Sequence, residues 1–279
     1  MSVSEPIRRS ATSVRILAVH DGVSGERPDT LATEEPMEIR AAGPDQELRA
    51  VAVTMRTPGG DFELAVGFLF TEGLIAPGDV ARVAYCDNLP GEDQRYNVVS
   101  VRLERPFDAE RVRRNFYATS SCGICGKAAL DDVEVSCGPV AAGPGVMADT
   151  LASLPDALRV KQDIFDRTGG LHAAGLFSPE GALISIREDV GRHNAVDKVI
   201  GEQLLAGNVP LSGTILQVSG RVSFEIVQKA AVAGIPVVSG VSAPTSLAVE
   251  AGERLGMTIV GFVRDGGCNV YSHPERVLI

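Results

Sequence analysis

The chain has 279 residues, a formal net charge of −10, 44% hydrophobic residues and 22% charged residues. That balance fits a soluble globular protein with one large core or two smaller ones, and the acidic charge argues against general affinity for nucleic acid while leaving room for a local basic pocket. No apolar run reaches the roughly 18 residues of a membrane span, and the first 30 residues lack the apolar centre of a signal peptide, so a cytoplasmic location without membrane contact is expected.

Residues 1–34 are polar and irregular, and they read as a flexible arm with one short strand over SVRILAV. From there EIRA and LRAVAVTMRT alternate as strands do, and PGGD supplies a turn. DFELAVGFLFTEGLI has apolar residues at helical spacing, with Asp61 as candidate cap and Gly73 as candidate stop. ARVAYC and YNVVSVRLE follow as two strands joined by a polar loop. SSCGICGK, at 120–127, is too rich in glycine for a stable strand and reads as a flexible loop, followed by a helical turn over KAALDDV. AAGPGVMAD is linker-like, which closes an N-terminal α+β portion at residues 35–149.

Residues 150–279 read more clearly. VKQDIFDRTG is a helix closed by glycine, and LHAAGLFS and ALISIRED are strands around a PEG turn. RHNAVDKVIGEQLLAG is a helix with Ala195, Val196, Val199, Ile200 and Leu204 on one side. TILQV, PVVSGV and MTIVGFV are strands, separated by the helices VSFEIVQKAAVAG and TSLAVEAGERLG. Such alternation implies an α/β portion, a mostly parallel sheet with helices on both faces.

Ligands of such sheets bind beyond the carboxyl ends of the strands. Those ends carry REDVGRHN, VSGRVS, SGVSAPT and FVRDGG, with free N–H groups at helix starts and with Arg221 and Arg264 as local positive charge. Taken singly, each loop is equally a turn whose Ser223 or Thr245 caps a helix. Four at one sheet edge point to a phosphate-bearing ligand.

The five cysteines are Cys86, Cys122, Cys125, Cys137 and Cys268. An odd number without an export signal is no disulfide framework. Cys86, Cys137 and Cys268 read as packing residues. For the close pair three readings stand: part of a zinc site, a redox dithiol, or a sulfur carrier. Zinc wants a second pair of ligands that the chain does not supply, so no metal is expected. A carrier thiol must be exposed, mobile and nucleophilic. The flanking glycines suit that need, Lys127 favours the thiolate, and a second cysteine could take or release the sulfur.

Seven ordered blocks resemble one family. They are EEPMEIR, VAVTMRTPGGDFELAVGFLFTEGLI, SSCGICGK, EDVGRHNAVDK, SGRVSFEIVQKAA, VSAPTSLAVE and GFVRDGGCNVYSH, running from about residue 34 to the end. The family is that of the FdhD/NarQ accessory sulfurtransferases required for active formate dehydrogenase. The resemblance implies a homodimeric sulfurtransferase that accepts sulfur from a cysteine desulfurase as a persulfide. It then passes the sulfur to the molybdenum (or tungsten) bis-pyranopterin guanine dinucleotide cofactor for the client, formate dehydrogenase. It places the persulfide at Cys122, with Cys125 as partner, and cofactor binding at Phe262, Val263, Arg264, Asp265, Gly266 and Gly267. At Gly267 the chain departs from the pattern, since relatives often carry a second basic residue there. Arg221 and His193 join the expected cofactor site.

The fold implied by the resemblance is cytidine-deaminase-like: a mixed sheet flanked by helices, with the cysteine loop in the N-terminal portion. Deaminase chemistry itself needs HxE and PCxxC at successive helix starts. GRHNAVDK and SGRVSFE supply neither the glutamate nor the cysteines at those places. Asp189, Asp197 and His193 instead become candidate lining of the ligand site, with helix-start packing as the other role for His193. The alternative to sulfur transfer is a non-catalytic chaperone that binds the cofactor.

Overall fold

The computed structural model describes residues 9–86, 96–108 and 138–279; the stretch with Cys122, Cys125, Lys127 and Cys137 lies outside them. The chain opens with strands β1 (Ala11–His20) and β2 (Val23–Ala32), which pair along their whole length as an antiparallel hairpin. The expectation of a flexible arm with one short strand is therefore corrected for these residues. The turn explains why. Asp21 and Gly22 have φ of 49° and 80°, the left-handed pair of a two-residue type I′ turn, whose twist matches that of the flanking strands.

Strands β3 (Glu35–Ala42), β4 (Arg49–Arg56), β5 (Val80–Tyr85) and β6 (Val98–Leu103) form a four-stranded sheet of order β4-β3-β6-β5. Helix α1 (Asp61–Thr71) covers one face of it. Gly60, not Asp61, stands at the cap position, and Asp61 is wholly buried. Its carboxylate takes a bidentate pair of bonds from buried Arg56, with Nε–Oδ1 at 3.1 Å and Nη2–Oδ2 at 2.8 Å. The acidic residue thus closes a buried ion pair rather than a helix end.

After β7 (Val146–Met147) the chain forms α2 (Ala148–Arg159) and α3 (Asp163–Thr168), then β8 (His172–Phe177), β9 (Leu183–Asp189) and α4 (Arg192–Leu205). Strand β10 (Ile215–Val218), α5 (Phe224–Val232), β11 (Val237–Gly240), α6 (Ser246–Leu255), β12 (Thr258–Arg264) and β13 (Gly267–Val270) follow, and β14 (Val277–Leu278) pairs with β7. The larger sheet has the order β13-β12-β11-β10-β8-β9. Only β10, β11 and β12 are mutually parallel neighbours; β8 is antiparallel to both its partners and β13 to β12. The sheet is mixed, less parallel than the alternation of elements suggests.

Helix α2 and strands β7, β13 and β14 were not among the elements read from the sequence. Helix α2 carries Pro155 in its interior, which reads as a helix breaker. Its buried Leu151, Leu154 and Leu158 nonetheless lie at helical spacing and cover one face of the larger sheet over Phe177, Ile215, Val237 and Val260. Strand β13 returns through a second Asp-Gly turn, Asp265–Gly266, with φ of 53° and 74°.

The opposite face of the larger sheet packs on α4, α5 and α6, and beyond them on α1 and the smaller sheet. One apolar cluster runs from Met37 and Ile39 through Leu64 and Val199 to Ile259. Residues 35–149 and 150–279 therefore share a core. Helices α1 and α4 cross at Gly67 and Gly201. A Cβ on Gly67 would collide with the carbonyl oxygen of Asp197, and one on Gly201 with that of Glu63. Close backbone approach is what these two glycines provide.

Candidate functional site

Strands β9, β10, β11 and β12 run in one direction, so their carboxyl ends and the start of β8 share one edge of the larger sheet. A cavity of about 720 Å³ opens there, on the face covered by α2. Its floor is Ser219 after β10, Val241 after β11 and Val263 at the end of β12; its far wall is Arg264, Asp265 and Gly266. Arg159, Gln162 and Phe165, from the end of α2 through α3, and His172 at the start of β8 complete it. The volume lies within the roughly 300–1,000 Å³ of small-molecule sites.

Local geometry aims these groups. The register of β12 against β13 shifts between Gly261 and Arg264, and Phe262 takes φ of 52° with its N–H donating to Ser242 O at 3.2 Å. This bulge carries Val263 into the apolar layer under α2 and leaves Arg264, Asp265 and Gly266 exposed at the rim. Both cavity arginines stack on phenylalanine: Arg264 is 5.5 Å from the Phe262 ring centroid and Arg159 is 4.7 Å from that of Phe165. Stacking restricts both guanidiniums. Arg159 Nη1 is paired with Asp166 Oδ1 at 2.5 Å, so Arg264 is the cavity arginine whose N–H fork is open to an anionic group, without an acidic neighbour in salt-bridge range among the described residues. Burial, reinforced by the Arg192 charge, holds His172 below the usual histidine range, which keeps its ring neutral near pH 7. One step inward from the floor, Gln217 and Ser239 sit opposite each other on β10 and β11. Gln217 Oε1 and Ser239 Oγ are buried without a partner among the described residues, and they favour a polar occupant nearby.

Of the residues singled out from sequence, Val263, Arg264, Asp265 and Gly266 line this cavity. Phe262 supports Arg264 from behind, and Gly267 begins β13 outside the cavity. Arg221 is exposed on the loop before α5 and does not line it. His193 lies at the start of α4, with Nε2 3.5 Å from Ser223 Oγ and 3.9 Å from Glu225. Burial and the neighbouring Arg192 charge lower its pKa. Thr245 caps α6, accepting from Ala248 N, whereas Ser223 makes no side-chain cap bond.

Asp189 and Asp197 do not face the cavity. Asp189 is wholly buried; it meets Lys198 Nζ at 2.7 Å and accepts from Thr57 N at 3.1 Å, Asn194 Nδ2 at 3.0 Å and Gly191 N at 2.8 Å. It ties the turn before α1 to the start of α4. Asp197 is paired with Lys229 and accepts from Thr71 Oγ1 at 2.7 Å. Two half-buried thiols, Cys86 and Cys268, are free, and burial raises the pKa of Cys268. Among the described residues no cluster of three His, Cys, Asp or Glu could hold a metal ion. No helix among them is long and apolar enough to cross a membrane.

The α2 part of this wall was missed in sequence, whereas α3 was read as the glycine-closed helix VKQDIFDRTG. The leucine spacing of ADTLASLPDALR was the one signal for α2, and Pro155 masked it.

Fold and site together define an α/β protein with a strand-end cavity lined by two arginines, a histidine and other polar groups. The chain belongs to the FdhD/NarQ family, whose model matches residues 32–278. It is 49% identical over 276 residues to the sulfur carrier protein FdhD of Streptomyces avermitilis, with 95% of each chain covered. With the protein of that name from Mycolicibacterium paratuberculosis it shares 52% over 270 residues, covering 94% of this chain and 97% of the relative. Among solved structures it is similar to a candidate formate dehydrogenase accessory protein from Desulfotalea psychrophila, with TM-score 0.74 and 25% identity, over 97% of this chain and 100% of the other.

Proposed function

We propose that this chain is a sulfur carrier and sulfurtransferase for formate dehydrogenase. Cys122 attacks the terminal sulfur of a cysteine desulfurase persulfide, the new S–S bond holds that sulfur on Cys122, and the desulfurase leaves as a thiolate. Cys125 is the partner thiol. The acceptor is the molybdenum (or tungsten) bis-pyranopterin guanine dinucleotide cofactor, a substrate here. In this reading the chain acts in the cytoplasm as a homodimer, on a cytidine-deaminase-like scaffold.

The observation that supports the reading best is the strand-end cavity. Of the segment to which the family resemblance assigns the cofactor, Phe262 to Gly267, the residues Val263 to Gly266 form one wall of this cavity, opposite a second stacked arginine. A cavity of about 720 Å³ suits one nucleotide arm of the cofactor rather than the whole. Arg264, and Arg159 through the N–H groups that Asp166 does not take, would meet its phosphates, which explains how an acidic chain holds a polyanion through a local field. Neutral His172 and Ser219 would meet its polar edges. Arg221 and His193 remain in this reading as contacts for the part of the cofactor beyond the cavity.

Intact-mass spectrometry after incubation with a cysteine desulfurase and cysteine tests it. The wild type is expected to gain the mass of sulfur reversibly, and Cys122→Ala to lose that gain, with Cys125→Ala as comparison. If no variant loads sulfur under conditions that load a known acceptor, transfer fails. A non-catalytic chaperone for the cofactor then remains, and its Cys122→Ala variant would still support formate dehydrogenase.

A further inference from the structure

The β1–β2 hairpin is a two-stranded sheet on its own, an arrangement marginal in water without further pairing. It meets the body through β2, which packs on α3, and through Ala32 beside Gly170. Leu17 and Val19 on β1 are 65% and 68% exposed.

Its two edges differ. Thr33 N donates to Ser10 O at 2.9 Å, and the register continues unbroken from Ala11↔Ala32 to His20↔Val23. In an antiparallel ladder hydrogen-bonded pairs alternate with non-bonded ones. The even-numbered residues of β1 therefore bond inward to β2, and Arg15↔Pro28 is a non-bonded pair. The nitrogen of Pro28 faces away from β1, so the outer edge of β2 lacks a donor at its centre. Glu26, Arg27 and Asp29 flank it with charge. This edge is closed to another strand.

The outer edge of β1 is open. It directs the N–H and C=O groups of Ala11, Ser13, Arg15, Leu17 and Val19 outward, and no strand among the described residues pairs with it. β1 contains no proline or glycine, and before His20 its one charged residue is Arg15. A long apolar edge of this kind is a template for strand addition.

We propose that two copies of this chain pair through that edge, antiparallel about a two-fold axis at Leu17, giving a four-stranded sheet of order β2-β1-β1-β2. Self-pairing is favoured over a foreign strand by charge. Centred on Leu17, the pairing sets each Arg15 opposite Val19 of the second copy and diagonal to its Asp21, an opposite charge. A register centred on Arg15 would instead oppose two guanidiniums. Such a contact is isologous and closes as a dimer. It goes beyond the homodimer of the proposed function by naming the surface, and it does not depend on sulfur transfer. Strand pairing alone is small against the roughly 1,200 Å² of standard interfaces, so a dimer that dissociates in the micromolar range is expected.

Sedimentation of the full chain across that range tests it with Leu17→Pro and Leu17→Lys. The proline removes an outward donor while leaving the inward ladder intact; the lysine opposes like charges on the axis. Both are expected to weaken the dimer at least about tenfold, or ~1.4 kcal/mol, with unchanged circular dichroism. Val23→Lys, away from the edge, should leave it intact. A dimer indifferent to both Leu17 variants would overturn the pairing while leaving homodimerisation by another surface. A wild type that stays monomeric overturns both. Should the variants fold poorly, hydrogen exchange of the wild type decides. The Arg15, Leu17 and Val19 amides should gain protection with concentration, and constant exchange sinks the proposal. Sulfur loading at Cys122 is read separately, so the two readings fail independently.

Discussion

The ammonium of Lys229 on α5 lies 3.0 Å from the carboxylate of Asp197 on α4, both buried, with Thr71 at the end of α1 and Glu72 just after it completing the cluster. Three helices meet at this pair. Thr71 Oγ1 and Lys229 Nζ both bond to the Asp197 carboxylate, so its buried charge is compensated from two other helices.

Replacing Lys229 with methionine should destabilise the chain by about 3–5 kcal/mol, because it leaves the Asp197 carboxylate buried and unpaired. The deficit should depend on pH. Burial pushes Asp197 up to about 6, even with Lys229 opposing it, whereas an unfolded aspartate titrates near about 3.9. The folded state thus binds the proton more tightly, and this group's contribution to stability falls as pH rises from about 4 to about 6, then levels off. Without Lys229 the folded value climbs further, so the penalty keeps growing to higher pH. Urea unfolding should show a larger deficit at pH 8 than at pH 5; an equal deficit would show that Lys229 does not hold this carboxylate ionised.

Gly201→Ala tests the helix crossing. The added methyl meets backbone rather than a flexible side chain, so α1 and α4 must separate. A loss of roughly 1–3 kcal/mol or more is expected in chemical denaturation. Gly213→Ala, where nothing lies within 4 Å of the added atom, serves as the control and should be nearly neutral. Equal losses at the two positions would remove the close-approach argument.

Arg264→Ala tests the cavity as a phosphate site. Loss of a charge-assisted contact costs about 1.5–3 kcal/mol, roughly a ten- to hundredfold weaker affinity. Guanosine diphosphate in titration calorimetry is a suitable probe of one cofactor arm. Because Arg264 is exposed, its melting temperature should not move. Unchanged affinity would place the nucleotide elsewhere, with Arg221 the next residue to vary.

Much of the fold was legible from local pattern. The alternation of helix and strand from β8 to β12, the glycine stops of α1 and α3, and the convergence of strand ends all follow from periodicity and turn chemistry. Asp-Gly at 21–22 and at 265–266 builds the same turn twice. Neither hairpin was read from it, because β2 and β13 are short of apolar alternation and so look like loop. The turn dipeptide was the stronger signal.

The sequence by itself determined the family, through seven ordered blocks, and with it the expectations of sulfur chemistry at Cys122 and Cys125 and of cofactor binding around Arg264. Only the tertiary structure decided which polar residues serve a cavity and which serve the core. Asp189 and Arg264 both look like ligand residues at strand ends. Asp189 meets Thr57, 132 positions away, and is sealed between helices, whereas the bulge at Phe262 turns Arg264 out to the rim. A charged side chain's role depends on whether a distant partner desolvates it, and that partner is not written in the neighbouring residues.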